Sequence, residues 1–256
     1  MPGGFVVMFS MMQSCIRKII NLTGISRTRA YIKYYRIRKG NENIAHLIEK
    51  NRAERFAKIY ETGVWLIDRD SKSLSGSGSE VANTGKIRTE LPRVIENLKV
   101  ESLLDVGCGD WNWMRLVELP CEYIGVDIVP SVIARNVAEF GATGRSFYVL
   151  DAVEEPLPDC DAIFLREVVF HLSFLDARKL LRNILQSRAR FLFATTDSDT
   201  TANTDIRSGD FRILNLNLTP FCFPDPFMDI PDDGVCQARR IGVWKIDELR
   251  SSDVMK

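Results

Sequence analysis

The stretch Leu103 to Met114, LLDVGCGDWNWM, sets two glycines, Gly107 and Gly109, between two carboxylates, Asp105 and Asp110. An apolar run entering such a turn reads as a buried strand, and the glycines let backbone approach a ligand closely at the first switch point of a sheet. A second apolar run, YIGVDI, ends at Asp127, 18 residues after Gly109. A carboxylate there is placed to accept from both hydroxyls of an adenosine ribose. A third run, FYVLDA, ends at Asp151, where an acidic side chain can lie beside the adenine. The dinucleotide fingerprint GxGxxG is incomplete, because its third glycine would fall on Asn112. Two carboxylates around the turn would also repel a pyrophosphate lodged at a helix start.

A cationic ligand without phosphate suits the turn better, and S-adenosylmethionine carries a sulfonium and an ammonium group. The segment resembles the glycine-rich first motif of class I S-adenosylmethionine-dependent methyltransferases. The resemblance implies that Asp105, Gly107 and Gly109 hold the methionine part of the cofactor, Asp127 the ribose, and Asp151 with Ala152 the adenine. It covers roughly residues 91–246 and implies a Rossmann-like α/β fold, with a seven-stranded, mostly parallel sheet and helices on both faces. Trp111 stands where many relatives have a third glycine. Three flanking stretches, IYETGVWLIDRDSKSLSGSGSEVANT, REVVFHLSFLDARKLLRNI and TTDSDTTANTDIRSGDFRILNLNLTPFCFPDP, are similar to a bacterial group with an SGxGS segment before the glycine turn. Leu165-Arg166-Glu167 stands where relatives commonly show Cys-Arg-Asp. The likeness makes Ser75–Ser79 a candidate lid, where composition alone reads a flexible linker.

Methyl transfer to a hydroxyl needs an in-line approach and a group to take the acceptor proton. His171 and Glu167 follow the fourth expected strand at the carboxyl edge of the sheet, and both are candidate catalytic residues. A neutral imidazole can take a proton near pH 7. The plainer reading is that His171 fixes the loop before the next helix. Asp197, Asn203, Asp205, Arg212 and Asn215 fall where this fold shapes its acceptor pocket. Arg212 suits a carboxylate or phosphate of the acceptor, or an internal ion pair with Asp205 or Asp210. Phe221, Phe223 and Phe227 read as a loop core or a pocket floor, and Trp244 as core.

The expected elements are a helix over 42–61, a helix over 84–98 bent or divided by Pro92, then strands alternating with helices. The strands fall at 102–106, 123–126, 147–150, 162–165 and 191–194, with helices near 112–117, 131–140 and 174–187. Two last strands, 211–216 and 241–246, form an antiparallel hairpin joined by the proline-punctuated connection 219–233. Residues 1–40 form a basic extension with eight cationic groups and no anionic one, 41–99 a helical cap with the Ser/Gly loop, and 100–256 the S-adenosylmethionine-binding domain. The remaining 216 residues carry 26 basic and 34 acidic groups, which argues against extensive nucleic-acid contact. Residues 1–40 suit weak contact with an anionic membrane.

The six cysteines form no CxxC pair and only two histidines occur, so no metal site is expected and the thiols read as reduced, in the cytoplasm. No apolar stretch reads as a span or an export signal. The expected activity is methylation of a hydroxyl on a glycan or other small molecule. The competing readings are a dinucleotide-dependent oxidoreductase and a non-catalytic protein that keeps the fold. Oligomeric state is not legible in the chain.

Overall fold

A computed structural model describes residues 46–47, 49–66, 71–252 and 254. The basic extension 1–40 and Cys15 lie outside the described residues, as do residue 41 and residues 42–45 and Ile48 of the expected first helix. Among the described residues no helix is long and apolar enough to cross a membrane.

Seven strands form one sheet in the order β3-β2-β1-β4-β5-β7-β6. They are β1 (Ser102–Val106), β2 (Glu122–Asp127), β3 (Arg145–Val149), β4 (Ala162–Leu165), β5 (Phe191–Asp197), β6 (Met228–Pro231) and β7 (Arg239–Lys245). The first five pair in parallel, whereas β7 is antiparallel to both β5 and β6. The chain builds outward from β1 to β3, then returns to β4 on the other side of β1. The crevice opened by that reversal, at the carboxyl ends of β1 and β4, is where open α/β sheets bind ligands.

Among the described residues the α-helices are α1 (Arg52–Thr62), α2 (Gly85–Asn97), α3 (Pro130–Phe140), α4 (Phe174–Gln186) and α5 (Ile246–Ser251). Strand alternation decides which of them covers which face. The row Leu104, Ile163, Leu192 and Trp244 runs across four strands and packs with Leu180, Leu181 and Ile184 of α4. The next row, Asp105, Phe164, Phe193 and Val243, points to the opposite face. There the apolar members pack with Ile87, Leu91 and Ile95 of α2. Each fully buried aliphatic or aromatic side chain contributes roughly 1.5–3 kcal/mol. Asp105 is thus the polar end of an otherwise apolar row.

Four expectations are corrected. Among the described residues of the expected helix 42–61, the α-helix starts at Arg52, where the Asn51 side chain accepts from Glu54 N–H at 2.7 Å and caps it. Pro92 does not divide α2, which runs unbroken from Gly85 to Asn97. A proline removes one backbone donor, and the buried Ile87, Leu91 and Ile95 hold the turns on either side. The stretch 211–216 is not a strand: its backbone meets Phe170, Asp197 and Thr196 one contact at a time, with no continuous ladder. The antiparallel edge is made by β6 instead, inside the stretch expected to be a connection. A short edge strand tolerates Pro231, which has no N–H to donate to a ladder. The stretch expected as a helix over 112–117 is one 3-10 turn, Met114–Leu116.

Candidate functional site

A cavity of about 950 Å³, counted out to its open mouth, lies at the carboxyl ends of β1 to β4. Asp105, Gly107, Gly109, Asp127, Asp151 and Ala152 all line it, and so do Glu167 and His171. The sequence-expected residues are therefore brought together in one space.

The glycine turn is tight for a reason the sequence does not show. Gly107 has φ +71° and Gly109 φ +57°, both in the left-handed region. A Cβ on Gly107 would lie 2.6 Å from Val168 Cγ2, and one on Gly109 would overlap Ser75 Oγ. Trp111 keeps the same left-handed backbone at φ +55° without being glycine. Its ring is buried among Tyr123, Phe140 and Phe147, with the Arg145 guanidinium 4.7 Å from its centroid. Aromatic packing offsets the backbone cost that a third glycine would avoid.

Asp110 does not face a cationic ligand. Its carboxylate accepts from Ser73 Oγ at 3.0 Å, Leu74 N–H at 2.6 Å and Ser75 Oγ at 3.0 Å. The Ser/Gly segment is held elsewhere too, since Asn112 donates to Ser79 O and Arg166 to Gly78 O, at 3.0 and 2.8 Å. Ser75 and Ser79 line the cavity.

Three carboxylates remain. Asp105 accepts from Tyr123 Oη at 2.6 Å, and burial pushes its pKa up to about 7 despite that bond. Asp127 accepts from the N–H groups of Gly109 at 3.1 Å and Val129 at 3.0 Å. Burial outweighs these donors and raises its pKa to about 6. Asp151 is bound by Arg52 at 2.5 Å, and the same guanidinium reaches Asp176 at 3.0 Å.

On the other side of the cavity, His171 Nδ1 bonds Asp210 O at 3.0 Å. Burial lowers its pKa to about 4, so an acid limb near pH 6.5, expected for an ordinary imidazole, is not what this ring gives. Glu167 has φ +62° and is ion-paired with Arg239, which also approaches Asp232 at 3.3 Å. Asp232 binds Arg166 at 2.8 Å in turn. Glu167 is thus part of a charge network that ties β7 to the turn after β4.

The residues expected to shape an acceptor pocket mostly hold loops. Asp197 accepts from Thr200 N–H at 2.9 Å, and Asp205 from Phe174 N–H at 2.7 Å. Asn203 bonds both the N–H and the C=O of Asn215. Arg212 is fully buried and donates to the Val169 and Phe170 carbonyls at 2.9 and 3.1 Å. Phe221 and Phe223 are core, while Phe227 is exposed.

Arg52, Tyr60 and Trp65 are among the lining residues to which the sequence reading gives no role. Tyr60 Oη lies 3.1 Å from Ser75 Oγ, and burial raises the phenol's pKa well above its usual range, so it stays a hydroxyl. Trp65 packs on His171 at 4.4 Å and near Tyr60 at 6.0 Å. The one hint in the sequence was the likeness of IYETGVW to the bacterial group. Among the described residues no cluster of His, Cys, Asp and Glu is built to hold a metal.

Residues 104–190 match the family model described as a methyltransferase domain. No curated protein matches the chain. Among solved structures, PigF with SAH is similar with a TM-score of 0.53 and 12% identity, over 84% of this chain and 68% of that one. The N-methyltransferase NodS from Bradyrhizobium japonicum WM9, in complex with S-adenosyl-l-homocysteine, gives 0.45 and 17%, over 58% and 75%. The N-terminal domain of EvdMO1, in the presence of SAH and D-fucose, gives 0.46 and 14%, over 78% and 98%. The fold is the Rossmann-like fold of class I methyltransferases.

Proposed function

We propose that this protein is an S-adenosylmethionine-dependent methyltransferase acting on a hydroxyl of a glycan or other small molecule. The observation that carries the reading is the cavity whose wall joins the Gly107–Gly109 turn to the acidic ends of β2 and β3. The matched methyltransferase segment covers the same strands.

The lining fits the cofactor. Neither glycine of the turn carries a Cβ, four carboxylates (Asp105, Asp127, Asp151 and Glu167) line the space, and both lining arginines are already engaged by carboxylates. That balance suits a sulfonium and an ammonium group and disfavours a pyrophosphate. On this reading Asp127 accepts from the ribose hydroxyls, Asp151 and Ala152 border the adenine, and Asp105 with the glycine turn holds the methionine part. When bound, the cofactor supplies a methyl group on a positively charged sulfur.

The chain's own work is alignment, exclusion of water and removal of one proton. Phe56, Tyr60 and Trp65 wall the space with aromatic surface. The bond to the Asp210 carbonyl needs a hydrogen on His171 Nδ1, so Nε2 keeps its lone pair and takes the acceptor proton. An indole face beside hydroxyl donors at Ser75, Ser79 and Tyr60 supports a polyhydroxylated acceptor such as a sugar. Residues 100–256 form the catalytic domain and 41–99 its cap. Free thiols at Cys108, Cys121, Cys160, Cys222 and Cys236 support a reducing, cytoplasmic setting.

Incubation with methyl-labelled cofactor and a fractionated cell extract, followed by mass analysis, tests the reading. A labelled, hydroxyl-bearing small molecule or glycan is expected. Cofactor binding with no labelled product in any fraction would favour a non-catalytic protein, and binding of NAD in its place an oxidoreductase.

A further inference from the structure

Both histidines of the chain bind the same short turn. His46 Nε2 bonds Gly209 O at 2.9 Å, Gly209 N–H donates to His171 O at 2.8 Å, and His171 Nδ1 bonds Asp210 O at 3.0 Å. A carbonyl only accepts, so the hydrogens sit on His46 Nε2 and His171 Nδ1. Arg55 tightens the assembly: its Nε donates to Ser208 O at 2.6 Å and its Nη1 to Glu49 O and Lys50 O. Gly209 has φ +100°, and a Cβ there would lie 3.3 Å from Arg55 Cβ. The turn is therefore clamped by residues 46–55, more than 150 positions upstream.

The imidazole of His171 is covered by two rings. Trp65 lies 4.4 Å away at 37°, and Phe211 lies 5.3 Å away. One nitrogen is pinned, and no described residue donates to or accepts from Nε2. His171 lines the cavity, and Trp65 lines it beside His171.

We propose that the segment 46–65 is a built part of the acceptor site, in which His46, Arg55 and Trp65 are positioning residues that hold His171 in one tautomer and one orientation, with Nε2 left for the acceptor hydroxyl. The proposal rests on the methyltransferase reading for its purpose, but its geometry is independent of cofactor. The sequence treats 46–65 as a cap on the domain; the hydrogen bonds make it a wall of the site. Burial is the main cause that lowers the pKa of His171 to about 4, and the Arg212 guanidinium and His46 push it the same way while the Asp210 carbonyl opposes them. The ring stays neutral across the physiological range, with its lone pair on a fixed atom.

The test is the nitrogen and proton NMR spectrum of the imidazoles in the full chain, which holds only two histidines. His46→Gln keeps a donor near Gly209 O and assigns the His171 signal by elimination. In the wild type, His171 is expected as the Nδ1–H tautomer, titrating near pH 4. Trp65→Ala opens one face to water and is expected to raise that midpoint by more than about one pH unit toward 6.5. Trp65→Phe keeps a ring on that face and is expected to restore most of the wild-type value. An Nε2–H tautomer in the wild type, or a Trp65→Ala midpoint unchanged from the wild type, overturns the proposal. The tautomer reading needs no variant to fold, because the wild type is expected to show one Nε2–H imidazole, His46, and one Nδ1–H imidazole, His171. Calorimetry of S-adenosylhomocysteine on the wild type runs alongside, and absent binding there counts against the methyltransferase reading while leaving the His171 result to stand or fall by itself.

Discussion

Ser75 Oγ and the Asp110 carboxylate are joined twice: the hydroxyl donates to Asp110 Oδ1 at 3.0 Å, and Asp110 N–H donates back to the same Oγ at 3.0 Å. A serine from a Ser/Gly segment thus locks the glycine turn 35 residues later. With Ser73 and Leu74 bound to the same carboxylate, the two loops are one hydrogen-bonded unit over the cavity. Hydrogen bonds to a charged group are worth about 1.5–3 kcal/mol each, and these share one buried partner. Asp110→Ala should lower stability by about 3 kcal/mol and weaken S-adenosylhomocysteine binding at least tenfold. Ser75→Ala, which leaves the Ser73 and Leu74 contacts, should cost about 1 kcal/mol. Urea denaturation reads both, and an Asp110→Ala protein as stable as the wild type would show that the lock is ornamental.

Asp105 and Asp127 make the protein less stable as pH rises. Burial lifts their folded-state pKa values to about 7 and about 6, against about 3.9 in an unfolded chain. The folded state holds those protons more tightly, so this contribution is complete below about pH 4 and is lost as pH climbs through 6 to 7. Asp105→Asn keeps an oxygen for the Tyr123 hydroxyl and cannot ionise. Without cofactor, it should lose less stability than the wild type between about pH 5 and about pH 8. Parallel denaturation curves at the two pH values give the answer, and equal losses would place the Asp105 titration elsewhere.

Arg52 couples the preceding helix to the adenine side of the cavity. Its pairs with Asp151 and Asp176 are largely enclosed, with 11% of its own side chain exposed. Arg52→Gln leaves two carboxylates facing each other without their shared cation. It should cost roughly 2 kcal/mol and weaken cofactor binding several-fold. Calorimetry and thermal unfolding together decide: a variant equal to the wild type in both would mean that α1 docks through its apolar residues alone.

For His171 the expected split is between binding and turnover. His171→Ala should leave S-adenosylhomocysteine affinity within about threefold, because the cofactor residues sit at the ends of β1 to β3. Turnover, once an acceptor is in hand, should drop by about 10²–10⁴-fold, the range for losing a positioned base. The wild-type acid limb should lie near pH 4, well below that of a solvated imidazole. A limb near 6.5, or normal turnover in the variant, returns His171 to a loop-fixing role and makes Glu167 with its Arg239 partner the next residue to replace.

The parallel core was legible because each of its strands is a short apolar run ended by a turn or an acidic residue, as at Leu103–Val106 and Tyr123–Asp127. The glycine turn was legible for the same reason. What could not be read were long-range partners. Nothing in the spacing tells that Asp110 serves Ser73 and Ser75, that Arg52 caps Asp151, or that His46 and His171 share a turn. Each pairs residues dozens to more than a hundred positions apart. The missed strand Met228–Pro231 fails for another reason: four residues ending in proline carry too little period-two pattern to stand out, and only the edge position next to β7 makes them a strand. Phe211–Leu216 shows the converse, a mostly apolar run with no open ladder beside it.

Calorimetric titration of S-adenosylhomocysteine into the wild type and into Asp127→Ala bears on the cofactor site itself. The wild type should bind in the low-micromolar range, roughly −8 kcal/mol, with affinity falling as pH drops through about 6, where Asp127 takes up its proton. Losing the hydrogen bonds to that carboxylate should weaken binding by roughly 10- to 150-fold in a folded variant. No heat of binding from the folded wild type, or equal affinity in wild type and Asp127→Ala, would contradict a cofactor held at the ends of β1 and β2.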